Sequence, residues 1–476
     1  MRRVCRMVQY SCTDPKPYFV QHHQKENNMQ NTLKLRMNGR MLVLGMAAAL
    51  AVGSCRSLQQ TTAVKQVPAD MTPQRIFNNM KRAADWQIDN IQHEGWRHKE
   101  RDWTNGALYA GLLSFARLAN DSSYYTFMKE VGNRFGWQLV QGKARYFADH
   151  YCVGQMYCQM YAIYQDPKMI ADLKLLADTL IARPHQESLE WKNSIQLREW
   201  AWCDGLFMGP PSLAMLGKVT GQQKYLDLVD SLWWKTTAYL YDPQHQLYYR
   251  DGSFLHKKEK NGQPVFWSRG NGWVMGGLVR VLENMPADYP DRKRWEKLYK
   301  DMAAKIITLQ QADGTWHASL LDPEAYPSKE TSGSGFYCYA LAWGINHGLL
   351  AKKYAPVVYK SWQALTDCLH PNGMLGYVQR IAGSPGKVGY EDTEVYAVGA
   401  YLLAGSEVLQ MVLNTGRYGV DETITNNRSH PQTLNQLIGT SAAKQASHYL
   451  NILNQQTLNG TTEVAGATRL YLQAVD

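Results

Sequence analysis

Between about residues 72 and 411, apolar side chains recur three and four positions apart, the spacing of helices that bury one face. The pattern predicts twelve helices: near 73–92, 105–119, 122–139, 149–164, 167–182, 210–219, 222–240, 270–285, 291–311, 332–350, 355–370 and 392–411. Two kinds alternate. Segments such as "DRKRWEKLYKDMAAKIITLQ" are amphipathic, with a charged face for solvent. Segments such as "NGALYAGLLSFARLA", "DHYCVGQMYCQMYAIY", "GNGWVMGGLVRVL", "SGSGFYCYALAWGI" and "TEVYAVGAYLLAGSEVL" are nearly uncharged and rich in small and aromatic residues. A helix apolar all round belongs inside a core.

Each inner segment opens on polar residues: Asn105, Asp149, Asp204, Arg269 with Asn271, Glu330 with Thr331, and Asp392 with Glu394. From 105 the steps to 149, 204, 269, 330 and 392 are 44, 55, 65, 61 and 62 residues. Such a repeat marks an array of helix pairs. Six inner and six outer helices predict an all-α (α/α)6 barrel. Its connections hold short β-hairpin-like loops, such as "HQLYYRDGS", "ADGTWHASLLD" and "NGMLGYVQR". Inner helix N-termini then converge on one face, where unpaired N–H groups favour anions. Asp, Asn and Thr at those positions also serve as ordinary N-caps.

The formal charge is +10, but residues 1–40 hold 8 Lys/Arg and 2 Asp/Glu, a net +6, leaving +4 for the rest. No basic run remains, so nucleic acid is not indicated as a partner. A mildly positive body suits an acidic small substrate. "MLVLGMAAALAV" (41–52), after Lys34, Arg36 and Arg40, reads as a signal-peptide core, and "VGSC" ends at Cys55. We expect residues 1–55 to be a leader with a lipoprotein-type signal. Cys55 is then the lipidated first residue, anchoring the chain to a membrane of the bacterial cell envelope. Residues 56–71 read as a linker, 72–414 as the catalytic barrel, and 415–476 as a polar tail with no assigned role. Cys152, Cys158, Cys203, Cys338 and Cys368 lack any Cys-x-x-Cys spacing and read as small buried hydrophobes, not metal ligands.

The stretch "WAWCDGLFMGPPSLAML" holds one acid, Asp204, in an apolar run. Pro210 and Pro211 fit the first turn of a helix. Asp204 then lies on the approach to it, beside Trp200 and Trp202. Apolar surroundings favour the neutral acid, which can give a proton to substrate. "FWSRGNGW" adds Trp267, Arg269 and Trp273: Arg suits a planar carboxylate and Trp a sugar face. Asp149, with His150 beside it, is the second acid. His317, Glu330 and Thr331 are further candidates. Read from residues alone, the site fits an inverting glycosidase using Asp149 and Asp204, or a non-enzymatic glycan-binding lipoprotein.

"WCDGLFMGPP", "FWSRGNGW", "ADHYCVGQMY" and "ETSGSGFYCYALAWGIN" together resemble the unsaturated rhamnogalacturonyl hydrolases of glycoside hydrolase family 105, and the related family 88 of unsaturated glucuronyl hydrolases. The resemblance spans about residues 72–411. It implies the (α/α)6 barrel and an oligosaccharide substrate with a 4,5-unsaturated uronate at its non-reducing end. It also implies hydration of that vinyl ether with no metal or cofactor. Asp204 matches the general acid/base, Asp149 the assisting aspartate, and Trp267, Arg269 and Trp273 the residues shaping the uronate subsite. Where some members carry a histidine before the "FWSRG" motif, this chain has Arg250 or Asp251.

Overall fold

The computed structural model describes residues 67–119 and 121–415. The expected leader, Cys55, most of the linker and nearly all of the tail lie outside the described residues.

The expected twelve helices form, with one extra turn. They are α1 (Pro73–Glu94), α2 (Trp103–Ala119), α3 (Ser122–Arg134), α4 (Gly154–Tyr164), α5 (Lys168–Ala182), the short α6 (Gly205–Met208), α7 (Pro210–Thr220), α8 (Lys224–Leu240), α9 (Ser268–Leu282), α10 (Arg292–Thr308), α11 (Thr331–Asn346), α12 (Ala355–Thr366) and α13 (Val395–Leu413). Local chemistry sets their ends. Thr72 caps α1 by accepting from the Arg75 N–H, Pro73 takes the first position, and Gly95 stops the helix at φ +83°. α3 ends sooner than its apolar pattern suggested. Gly136 and Trp137 both turn left-handed, and the Trp137 N–H closes back onto Gly132 O at 2.8 Å. The predicted helix at 149–164 begins as a 3-10 turn, Ala148–Tyr151, and becomes α4 only at Gly154.

α2, α4, α7, α9, α11 and α13 pack in sequence, and α13 returns to α2, closing the inner ring. The other six long helices form an outer layer, so the fold is the (α/α)6 barrel. α10 shows the outer pattern: only Trp295, Leu298, Tyr299, Met302, Ala303 and Ile306 are buried, one stripe at helical spacing. α13 is long and apolar enough to cross a membrane, with mean hydropathy 1.4, yet 94% of that stretch is buried inside the barrel. Small residues bring inner helices together. A Cβ on Gly399 of α13 would lie 2.1 Å from Ala107 O on α2, and one on Gly111 would lie 2.2 Å from Gly399 O. We expect Gly399→Ala to destabilise by about 1–3 kcal/mol or more, because the clash is with backbone. A lowered thermal midpoint checks this, and an unchanged one refutes it.

Extended pieces tie the helix entrances together. β1 (Tyr241–Asp242) pairs antiparallel with β2 (Leu247–Tyr248). Trp202 bridges Asp251, Trp267 bridges Ser319, the Thr331 N–H donates to Tyr377 O and the Val378 N–H to Asp392 O. The segment entering each of these inner helices is thus laced to a neighbouring loop.

Candidate active site

Asp204 starts α6 and makes no capping bond of its own. The residue is 9% exposed. Cys203 places it: its N–H donates to Arg250 O at 2.8 Å, drawing the two segments together. Arg250 Nε then lies 3.7 Å from Asp204 Oδ2, and Arg250 Nη1 donates to Asp251 Oδ2 at 2.5 Å. Burial pushes the Asp204 carboxyl above its usual range, while Arg250 and Arg269 oppose the rise.

Asp149 sits on the 3-10 turn before α4. Its Oδ1 is buried with no hydrogen-bond partner. Burial, then the charges of Asp204 and Asp102, push it well above the ordinary range, and Arg250 pulls it back. Of the two acids, Asp149 lacks Arg269 as an opposing cation, so it holds its proton more strongly. Aromatic rings wall this corner. Trp202 lies 5.1 Å from Phe147 and 6.4 Å from Trp191, and the His150 ring meets Phe147 at 5.3 Å. His150 Nδ1 is held by Ala144 O at 2.9 Å.

Other predicted residues are placed differently. Arg269 is 1% exposed. Its Nη1 donates to Gln379 O, its Nη2 to Arg380 O at 3.0 Å, and its guanidinium lies over the Trp267 and Tyr396 rings. Its fork therefore holds backbone, not an open carboxylate seat. Trp267 is buried and donates through Nε1 to Gln379 Oε1 at 2.8 Å. Trp273, expected to line a sugar subsite, has 0% exposure. It packs among Phe336, Phe207, Trp103 and Tyr396 at 4.5, 4.9, 5.8 and 6.0 Å, in the barrel interior, because its neighbours on α6, α11 and α13 are also aromatic.

Thr331 is buried and bonds Gly376 O at 2.9 Å, fixing a loop. Glu330 caps α11, accepting from the Ser332 and Gly333 N–H groups at 2.9 and 2.7 Å. His317 is tied to Asp313 and Pro323 O, both at 3.2 Å, within its own loop.

Sequence reasoning missed Trp191, Phe147, Gln379, Trp103, Tyr396 and His98, which meets the expected Glu394 at 2.7 Å. Phe147, Trp103 and Tyr396 each stand two residues from an opening polar residue, a signal that was available. Trp191 lies in an irregular segment with no such mark. All five cysteines from Cys152 onward are buried and free. Among the described residues, no group of three His, Cys, Asp or Glu side chains is placed to hold a metal ion.

Residues 79–412 match the family model described as Glycosyl Hydrolase Family 88. An unsaturated 3S-rhamnoglycuronyl hydrolase of Formosa agariphila is 40% identical over 349 residues, covering 71% of this chain and 91% of that one. A protein of the same name from Alteromonas sp. (strain LOR) is 32% identical over 410 residues, covering 80% of this chain and 99% of that one. A solved structure named as a polysaccharide lyase superposes with a TM-score of 0.65 at 29% identity, covering 71% of this chain and 97% of that one. With a closed (α/α)6 barrel and paired acids at the entrance of its inner helices, the chain belongs to glycosyl hydrolase family 88 and is a glycoside hydrolase.

Proposed function

We propose that this enzyme removes a 4,5-unsaturated uronate from the non-reducing end of lyase-generated oligosaccharides by hydrating its double bond. Asp204 gives a proton to C4 and receives one from the water that adds at C5. The hemiketal so formed opens and releases the next sugar. The observation that carries this reading is the Asp204 carboxyl, raised by desolvation, beside a guanidinium whose Nε has no hydrogen-bond partner. An acid kept partly neutral is what carbon protonation needs. Asp149, its carboxyl pushed well above the ordinary range by burial, has an unpaired buried oxygen and assists by accepting from a substrate hydroxyl. Trp191 and His150, packed against Trp202 and Phe147, shape the wall against which the sugars lie.

The relatives named for rhamnoglycuronyl substrates support rhamnose as the leaving sugar. The 4,5 double bond erases the stereocentre that separates glucuronate from galacturonate. Selectivity must then come from the leaving sugar. A panel of lyase-generated disaccharides from rhamnogalacturonan, ulvan, heparin-type and gellan-type polymers tests this by the loss of ultraviolet absorbance. We expect the uronyl-rhamnose members to react fastest. Cleavage of saturated disaccharides would favour the inverting glycosidase. Sugar binding with no absorbance change and no new reducing ends would favour a glycan-binding protein.

We also propose, from "MLVLGMAAALAVGSC", that Cys55 anchors the enzyme to the cell envelope by a lipid. Loss of the protein from the membrane fraction in a Cys55→Ser strain is the expected result.

A further inference from the structure

We infer that Arg250 receives the uronate carboxylate, and that this carboxylate takes the guanidinium over from Asp204, so that binding substrate leaves the catalytic acid holding its proton. The inference rests on the reading of Asp204 as the acid.

The guanidinium of Arg250 is fixed on three sides. Its Cζ lies 4.8 Å from the Trp191 ring centroid. A Cβ at Gly383 would lie 3.5 Å from that Cζ, so the 380–392 loop closes over it. Nη1 is spent on Asp251. Nε has no hydrogen-bond partner. It faces Asp204 at 3.7 Å, too far for a good hydrogen bond and near enough for a strong charge interaction. The side chain is 20% exposed, whereas Arg269 is 1% exposed with both terminal nitrogens on carbonyls. A part-exposed arginine whose Nε–H has no partner keeps a donor in reserve for a planar carboxylate.

The substrate's own geometry fits. Its carboxylate hangs on C5, and C4, the carbon to be protonated, is bonded to C5. The proton donor and the carboxylate receptor must therefore be neighbours, as Asp204 and Arg250 are.

The charge consequence follows. In the free enzyme Arg250 and Arg269 favour ionised Asp204, against burial. The charges of Asp204 and Asp102 both reach Asp149 on the turn before α4, and Cys203 and Asp251 adjoin Asp204 and Arg250. A bound carboxylate claims Arg250 and adds a second negative charge, so ionised Asp204 loses support. One proton is taken from water on binding, given to C4, and regained from the attacking water. No other reactant is needed.

The test is the pH dependence of wild-type turnover on a reactive unsaturated disaccharide. Activity falls at high pH as Asp204 loses its proton. The kcat/KM limb reports the free enzyme and the kcat limb the complex. We expect the kcat limb to lie at least about one pH unit above the kcat/KM limb. Coincident or reversed limbs would overturn the inference. Arg250→Gln should raise KM by at least about a hundredfold and move its kcat/KM limb upward. An unchanged KM would also overturn it. If Arg250→Gln fails to fold, the two wild-type limbs still decide. Inertness of the wild type toward every unsaturated disaccharide would instead defeat the proposed function.

Discussion

Replacing Asp204 by Asn is expected to lower kcat by at least about a thousandfold, within the range that general acid–base groups contribute. The amide keeps the size of the carboxyl but cannot cede a proton to carbon. The fold should persist, for a reason visible in the charge balance. Burial raises the Asp204 carboxyl above its ordinary value of 3.8. A group whose native value is raised is favoured neutral in the fold. Its ionisation therefore costs stability as pH rises above the unfolded value. Asn carries no such cost, so the variant should melt at or above the wild-type temperature at neutral and alkaline pH. Absorbance of the unsaturated bond reads the first effect and far-ultraviolet dichroism the second. Wild-type turnover in Asp204→Asn would remove the mechanism. Loss of helical signal would show that Asp204 serves the fold.

The barrel was legible because helical spacing and charge content both alternate along the chain, and those two signals are local. What the spacing could not show was where backbone pairing stops a helix. α3 loses its last predicted turn to two left-handed residues, Gly136 and Trp137. Between Trp202 and Pro210, an apolar run without a cap still coils into α6. The site was legible to the extent that chemistry sits beside helix starts. Asp204, Asp149 and Trp202 stand out in the sequence and gather in space.

Arg269 and Trp273 share that signal but are used inside: a loop 110 residues away takes the Arg269 guanidinium, and Trp273 packs among Phe207, Phe336 and Tyr396. Trp191 could not be found from pattern. Its value comes from lying under Arg250, a contact between residues 59 positions apart by their numbering, 191 and 250. A property set by long-range pairing is invisible to periodicity.

Glu199→Ala is expected to cost about 3–5 kcal/mol of stability, the usual loss when a buried ion cluster is stripped of one partner. The Glu199 side chain is 1% exposed. It meets His185 Nδ1 at 2.9 Å, Lys235 Nζ at 3.1 Å and Arg183 Nη2 at 3.8 Å. Lys235 lies on α8 and also donates to His185 O at 2.8 Å. Next in the chain, Trp200 donates through Nε1 to Tyr151 OH, and its carbonyl accepts from Thr236 Oγ1, both at 2.7 Å. The cluster thus staples the α5–α6 connection to α8, and that connection carries Trp191 and Trp202 to the active corner.

Removing Glu199 leaves Lys235 and Arg183 without their shared anion, and it loosens the aromatic wall. KM should rise more than kcat falls, because Glu199 touches no reacting atom. The pH response separates this from a simple packing loss. Burial acts to raise the Glu199 carboxyl, but His185 and Lys235 outweigh it, and its value is lowered from 4.5. A lowered native value gives stability that is present above the unfolded value and is lost as pH falls through the native one. Wild type should therefore lose thermal stability below about pH 4.5 more steeply than Glu199→Ala. Parallel melting curves across that range, or equal midpoints at neutral pH, would show that the cluster does not hold this wall in place.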